Sequence, residues 1–152
     1  MLCFLMAAVP WVYTRMNQDV VLFHHAQQSF IADDYEEAAR LYRMALENGM
    51  DNPALFQRLG DTYLALGEFD KALNVFLQIR HINPESPALQ VKLAQVYSLN
   101  NNSEQALALI SKVLEQQPDW DTALLWQARI LSRHGRFQEA IDIYYRILGE
   151  QP

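Results

Sequence analysis

The sequence predicts an all-α chain: an array of four helix-turn-helix units behind an apolar N-terminal helix. Three observations carry that expectation. Of 152 residues 51% are apolar and 20% charged, with only five Gly and six Pro, a composition suited to packed helices and unlike a disordered tail, a collagen or a turn-rich sandwich. From Asp19 onward one pattern of small, aromatic and turn residues returns every 34 residues without a slip. Within each return, apolar residues stand three and four apart on either side of a short break, which is helical spacing.

The lead comes first. Met1 to Tyr13 reads MLCFLMAAVPWVY, with no charged side chain before Arg15. A secretory signal begins with a positive segment and ends in a small-residue cleavage site, and neither is clear here. Thirteen residues fall short of the about 20 that a membrane span requires. Three readings stay open for residues 1–18. One is a bilayer anchor or part of one, with Trp11, Tyr13 and Arg15 at an interface belt. Another is a short helix docked on protein. The third is an atypical signal sequence or a misplaced start. Cys3 reads as a buried apolar cysteine rather than an acylation site. The resulting expectation is membrane association through the N-terminus, with the side of the membrane open.

Behind the lead come the repeats. Ala26, Gly60, Ala94 and Ala128 stand 34 residues apart, as do Ala38, Ala72, Ala106 and Ala140. Large residues recur in step: Tyr42, Phe76, Ile110 and Tyr144; Ala45, Ile79, Val113 and Ile147; Tyr35, Phe69 and Phe137, with Ser103 the exception. Pro84, Pro118 and Pro152 share one place, held by Met50 in the first unit. The unit at 53–86 shows the logic. Phe56, Leu59, Gly60 and Tyr63 mark a first helix, Leu66-Gly67-Glu68 a break, and Phe69, Ala72, Leu73 and Phe76 a second helix. Asp33, Gly67, Asn101 and Gly135 occupy the break, where a left-handed residue ends a helix. Small residues let the two backbones approach while aromatics fill the holes around them. The recurring proline ends the second helix.

These residues resemble the tetratricopeptide repeat (TPR) family over residues 19–152, in four units: 19–52, 53–86, 87–120 and 121–152. The first unit departs most, with His25 and Ser29 at apolar or aromatic places, and the third is weak at Gln90 and Ser103. The resemblance implies a right-handed superhelical solenoid whose first helices line a concave face. Carrying over the family's groove places gives Phe23, Gln27, Phe30 and Ile31; Gln57, Asp61, Leu64 and Ala65; Val91, Gln95, Ser98 and Leu99; and Leu125, Arg129, Ser132 and Arg133. From these, Phe23, Gln27, Gln57, Asp61, Gln95, Arg129 and Arg133 are the candidate partner-binding residues. One TPR subgroup grips the terminal carboxylate of chaperone tails with Lys, Asn and Arg. Here only Lys92, with Arg58, could serve, which argues against that role. The groove is apolar early and basic late, so a peptide or helix with apolar anchors and an acidic end fits it. A solvated helix face is the plain alternative for Arg129, Arg133 and Arg136.

At Gln151-Pro152 the sequence reaches a repeat boundary, and arrays ordinarily carry a polar cap there. The expectation is exposed apolar surface around Leu131, Ile143 and Ile147, and with it self-association through uncapped ends; a truncated chain accounts for the same pattern.

Other functions are disfavoured. One Cys permits no intramolecular disulfide and no site built on several thiolates. A net charge of −6 speaks against nucleic acid. His24 and His25 point apart on a helix, and His81 and His134 stand alone. Asp33, Asp34, Glu36 and Glu37 suit a helix N-terminus. Asn101-Asn102-Ser103 is a formal glycosylation sequon whose better reading is turn and N-cap. No phosphate loop, nucleophile elbow or metal spacing appears, so neither catalysis nor a cofactor is expected. The sequence reads as a non-catalytic interaction scaffold or assembly factor, tethered at a membrane. The alternative is an accessory subunit of an enzyme complex, such as one of envelope polysaccharide or cytochrome biogenesis.

Overall fold

The computed structural model describes residues 17–149, and every regular element among them is an α-helix. In chain order these are α1 (Gln18–Ile31), α2 (Tyr35–Glu47), α3 (Pro53–Ala65), α4 (Phe69–Ile82), α5 (Pro87–Leu99), α6 (Ser103–Gln116), α7 (Asp121–Arg133) and α8 (Phe137–Leu148). They fall into two compact units, one ending at Glu68 and the other beginning at Phe69.

The turns explain why the helices stop where they do. Asp33, Gly67, Asn101 and Gly135 take φ of 60°, 73°, 60° and 74°, all in the left-handed region that the sequence assigns to the break. The backbone closes identically around each. At the second turn Gly67 N–H donates to Leu64 O (3.1 Å) and Glu68 N–H to Tyr63 O (2.9 Å); at the third, Asn101 N–H donates to Ser98 O (3.2 Å) and Asn102 N–H to Tyr97 O (2.8 Å). These are the paired bonds of a Schellman ending, which satisfy carbonyls the helix leaves free. Starts are set by side chains. Asn52 Oδ1 accepts from Leu55 N–H at 2.8 Å and Ser86 Oγ from Leu89 N–H at 3.3 Å, each followed by a proline opening its helix. Asn102 holds the N-cap position of α6 but its side chain makes no capping bond, so the Asn-Asn-Ser stretch is a turn whose closure is left to the backbone.

In the first unit α2 packs on α1 and on α3, and α1 also touches α3. Its core takes Leu22 and Ala26 from α1, Ala38, Leu41, Tyr42 and Ala45 from α2, and Leu55, Phe56, Leu59 and Tyr63 from α3. Ala26 and Ala38 retain no exposed surface, which is why small residues stand there. In the second unit each helix from α4 to α8 packs on the next, and α5 also touches α7. One cluster gathers Val91, Ala94, Ala106, Ile110, Val113, Ala123 and Ile130; another gathers Ala128, Leu131 and Ala140. Leu107 packs against both. Leu131, expected at an exposed edge, is 4% exposed because Leu107, Ile143 and Tyr144 surround its cluster.

The expected membrane localisation does not stand. No helix among the described residues is long and apolar enough to cross a membrane. Each holds 12 to 14 residues, about 18–21 Å at the usual rise, against a hydrocarbon core of roughly 30 Å. The apolar lead on which that expectation rested, including the N-terminal helix proposed there, lies outside the described residues apart from Asn17 and Gln18.

Candidate protein-binding surface

In the first unit, Phe23, Gln27, Phe30 and Ile31 ride on α1, and Gln57, Asp61, Leu64 and Ala65 on α3. Phe23 is half-buried, its ring edge-on to Tyr42 at 5.6 Å and 62°. Tyr42 is itself fully buried and its hydroxyl has no hydrogen-bond partner. Burial pushes that hydroxyl's pKa up, while Arg58 pulls it down and Asp61 adds to the rise, so both charges of α3 lie within electrostatic reach of the ring. Phe30 turns toward the helix end, edge-on to Tyr35 at 5.3 Å. Tyr35 in turn donates its hydroxyl to Asp33 Oδ1 at 2.5 Å, a bond that raises the phenol's pKa. Phe30 therefore serves the turn. Gln27 and Asp61 are half-buried, Gln57 is exposed, and Ile31 is 81% exposed.

In the second unit the places fall on the adjacent helices α5 and α7. Val91 and Ser98 are buried, Val91 inside the main cluster and Ser98 with its Oγ unpartnered. Gln95 and Leu99 on α5 and Leu125 and Ser132 on α7 are half-buried, and Arg129 and Arg133 are exposed. Arg129 lies over the Trp126 ring, its Cζ 5.1 Å from the centroid. Trp126 packs on the main cluster, so a core-anchored aromatic holds the guanidinium, an arrangement worth about 0.5–1 kcal/mol at exposed sites. The pair spans three residues on one helix, a spacing visible in the sequence. This face offers hydrogen-bonding amides, a fixed cation and an apolar floor.

His134, which the sequence leaves alone, bonds through Nε2 to the Oγ of buried Ser103. They stand 31 residues apart on successive turns, so helical periodicity on one element gives no sign of the pairing. Beside them opens a polar cleft of about 490 Å³ lined by Asn101, Asn102, Ser103, Glu104, Leu107, His134 and Arg136. Arg136 is already held by Glu139 through two bonds of 2.6 Å. Among the described residues, no three His, Cys, Asp or Glu side chains gather so as to hold a metal ion.

Two profiles of the tetratricopeptide repeat family match the chain, over residues 29–85 and 91–152. The chain belongs to the tetratricopeptide repeat family, whose repeats serve in protein–protein interaction. No curated protein sequence matches it significantly. Among solved structures it is similar to MamA from Desulfovibrio magneticus RS-1, at 15% identity over 91% of this chain and 78% of that chain, with a TM-score of 0.79. It is similar also to YrrB, described as a TPR protein with an unusual peptide-binding site, at 19% identity over 88% of this chain and 69% of that chain, TM-score 0.74. A TPR protein from Parabacteroides merdae ATCC 43184 is 23% identical over 86% of this chain and 51% of that chain, TM-score 0.77. At these identities the likeness is one of fold.

Proposed function

We propose that the repeat array of residues 19–152 is a non-catalytic scaffold that holds a peptide or helix of a partner protein, with an acidic end of that segment seated at Arg129 and Arg133. The observation that carries this reading is the exposed guanidinium of Arg129 fixed over core-anchored Trp126, on a helix that touches the α5 helix of Gln95. A pre-set cation loses little freedom on binding, and an acidic segment approaches it down a favourable field. Phe23, Gln27, Gln57 and Asp61 offer amide, acid and aromatic contacts in the first unit. That a fold neighbour, YrrB, is described as peptide-binding supports a peptide as the form of ligand.

The test is a crosslinking pull-down with the full chain, followed by titration of the captured segment against Arg129→Glu/Arg133→Glu. The double reversal is expected to weaken binding at least tenfold and to remove most of its salt dependence. Unchanged affinity sinks the reading. Recovery of a stoichiometric enzyme subunit in the same pull-down would instead favour the accessory-subunit alternative. Pairing between copies of the chain concerns a different surface, the outer face of α8.

A further inference from the structure

The outer face of α8 repeats that of α6, and α6 shows how such a face is covered. Ser103, Leu107 and Leu114 of α6 stand 34 residues before Phe137, Ile141 and Leu148 of α8. On α6 all three are covered by α7, α8 and the turn that joins them. Buried Ser103 meets His134; Leu107 packs on the cluster of Ala128, Leu131 and Ala140; Leu114 packs on the cluster that holds Ala123 and Ile130. On α8 the matching Phe137, Ile141 and Leu148 are large, apolar and 62%, 42% and 68% exposed. A stripe of that size on one helix face marks a contact.

We propose that this face receives α1 of a second copy, so that copies join end to end. Helices α3, α5 and α7 each already lie against the second helix of the pair before them, α2, α4 and α6. Among the described residues α1 is the one first-of-pair helix with no such neighbour. The places that cover α6 have counterparts 102 residues earlier, around α1: Val21 for Ala123, Ala26 for Ala128, Ser29 for Leu131, Ala32 for His134 and Ala38 for Ala140. Sizes trade across the joint. Where α6 sets small Ser103 against large His134, α8 sets large Phe137 against small, exposed Ala32. Because two different surfaces meet, the contact does not close on itself at two copies.

Sedimentation of the full-length chain over a concentration series tests this. The weight-average mass is expected to rise past two chains. Ile141→Arg and Ala32→Arg each change an exposed side chain, leave the core intact, and are each expected to give a monomer; circular dichroism checks that both are folded. Mixed one to one, they are expected to form a dimer and nothing larger, since the mixture retains one intact α8 face and one intact α1 face that can meet. A wild-type chain that stays monomeric throughout, or an Ala32→Arg variant that still self-associates, would overturn the proposal. Neither substitution touches Gln95, Arg129 or Arg133, so partner capture in the pull-down is read independently.

Discussion

A side chain held at φ near +70° crowds its own backbone, a strain of roughly 1–2 kcal/mol for an ordinary L residue. Gly67 sits at φ +73° with nothing within 4 Å of where a Cβ would stand, so backbone strain is the whole cost of adding one. Gly67→Ala is accordingly expected to lose about 1–2 kcal/mol in urea denaturation, without any change in the surrounding packing. Asp33 and Asn101 hold the same conformation, which their short polar side chains tolerate better than most. Two carboxylates report on pH. Glu37 and Glu139 have pKa values held below the ordinary 4.5, first by hydrogen bonds from Arg40 and Arg136 and then by their charge. A carboxyl lowered in the folded state contributes stability above its unfolded pKa of about 4.3, and that contribution is lost as pH falls through the folded value. Carboxyl-carbon NMR titration should therefore give midpoints below 4.5 for both, and Arg136→Ala should return the Glu139 midpoint upward while leaving Glu37 where it was.

Helix pairs close because alanines stand where backbones cross. Ala106 has no exposed surface and lies within the cluster of Ala94, Ile110 and Ile130, so Ala106→Leu should overpack it by about 1–3 kcal/mol, measurable as a lower melting temperature. This much was legible: the 34-residue recurrence, the alanines and the left-handed breaks each answer to local chemistry that one stretch of sequence displays. The seams were harder to read. Lys112 reaches Glu85 at 3.3 Å and Arg146 reaches Asp119 at 2.7 Å, the same bridge one repeat later. Each links residues 27 apart, and both are exposed enough that each contributes at most about 1 kcal/mol. The family's groove places also carried over unevenly. A 3.6-residue period identifies the apolar side of a helix but not which neighbour it meets, so Val91 and Ser98 are buried and Phe30 is spent against Tyr35. Trp126 under Arg129 is a tertiary arrangement that no residue-by-residue transfer supplies.

For the chain as a whole, membership of an interaction family and the absence of a gathered metal set among the described residues direct attention to surfaces. Two are distinct. The α7 face carries fixed positive charge in a chain of net −6, which makes it a local exception to the overall repulsion of acidic segments and gives partner binding its expected salt dependence. The α8 face is apolar and concerns copies of the chain itself. The sequence placed hydrophobic surface near the C-terminal end but chose Leu131, Ile143 and Ile147, residues that α8 turns at least partly inward; the outward ones are Phe137, Ile141 and Leu148. Leu107, which belongs to two clusters at once, has a further consequence. Neighbouring pairs share side chains without any residue unique to the seam, so 34 added residues copied in frame at Gln117 would find a fitted surface on either side. Such a gene can lengthen or shorten by whole repeats through simple duplication and loss, and each intermediate still encodes a chain whose turns and cores match.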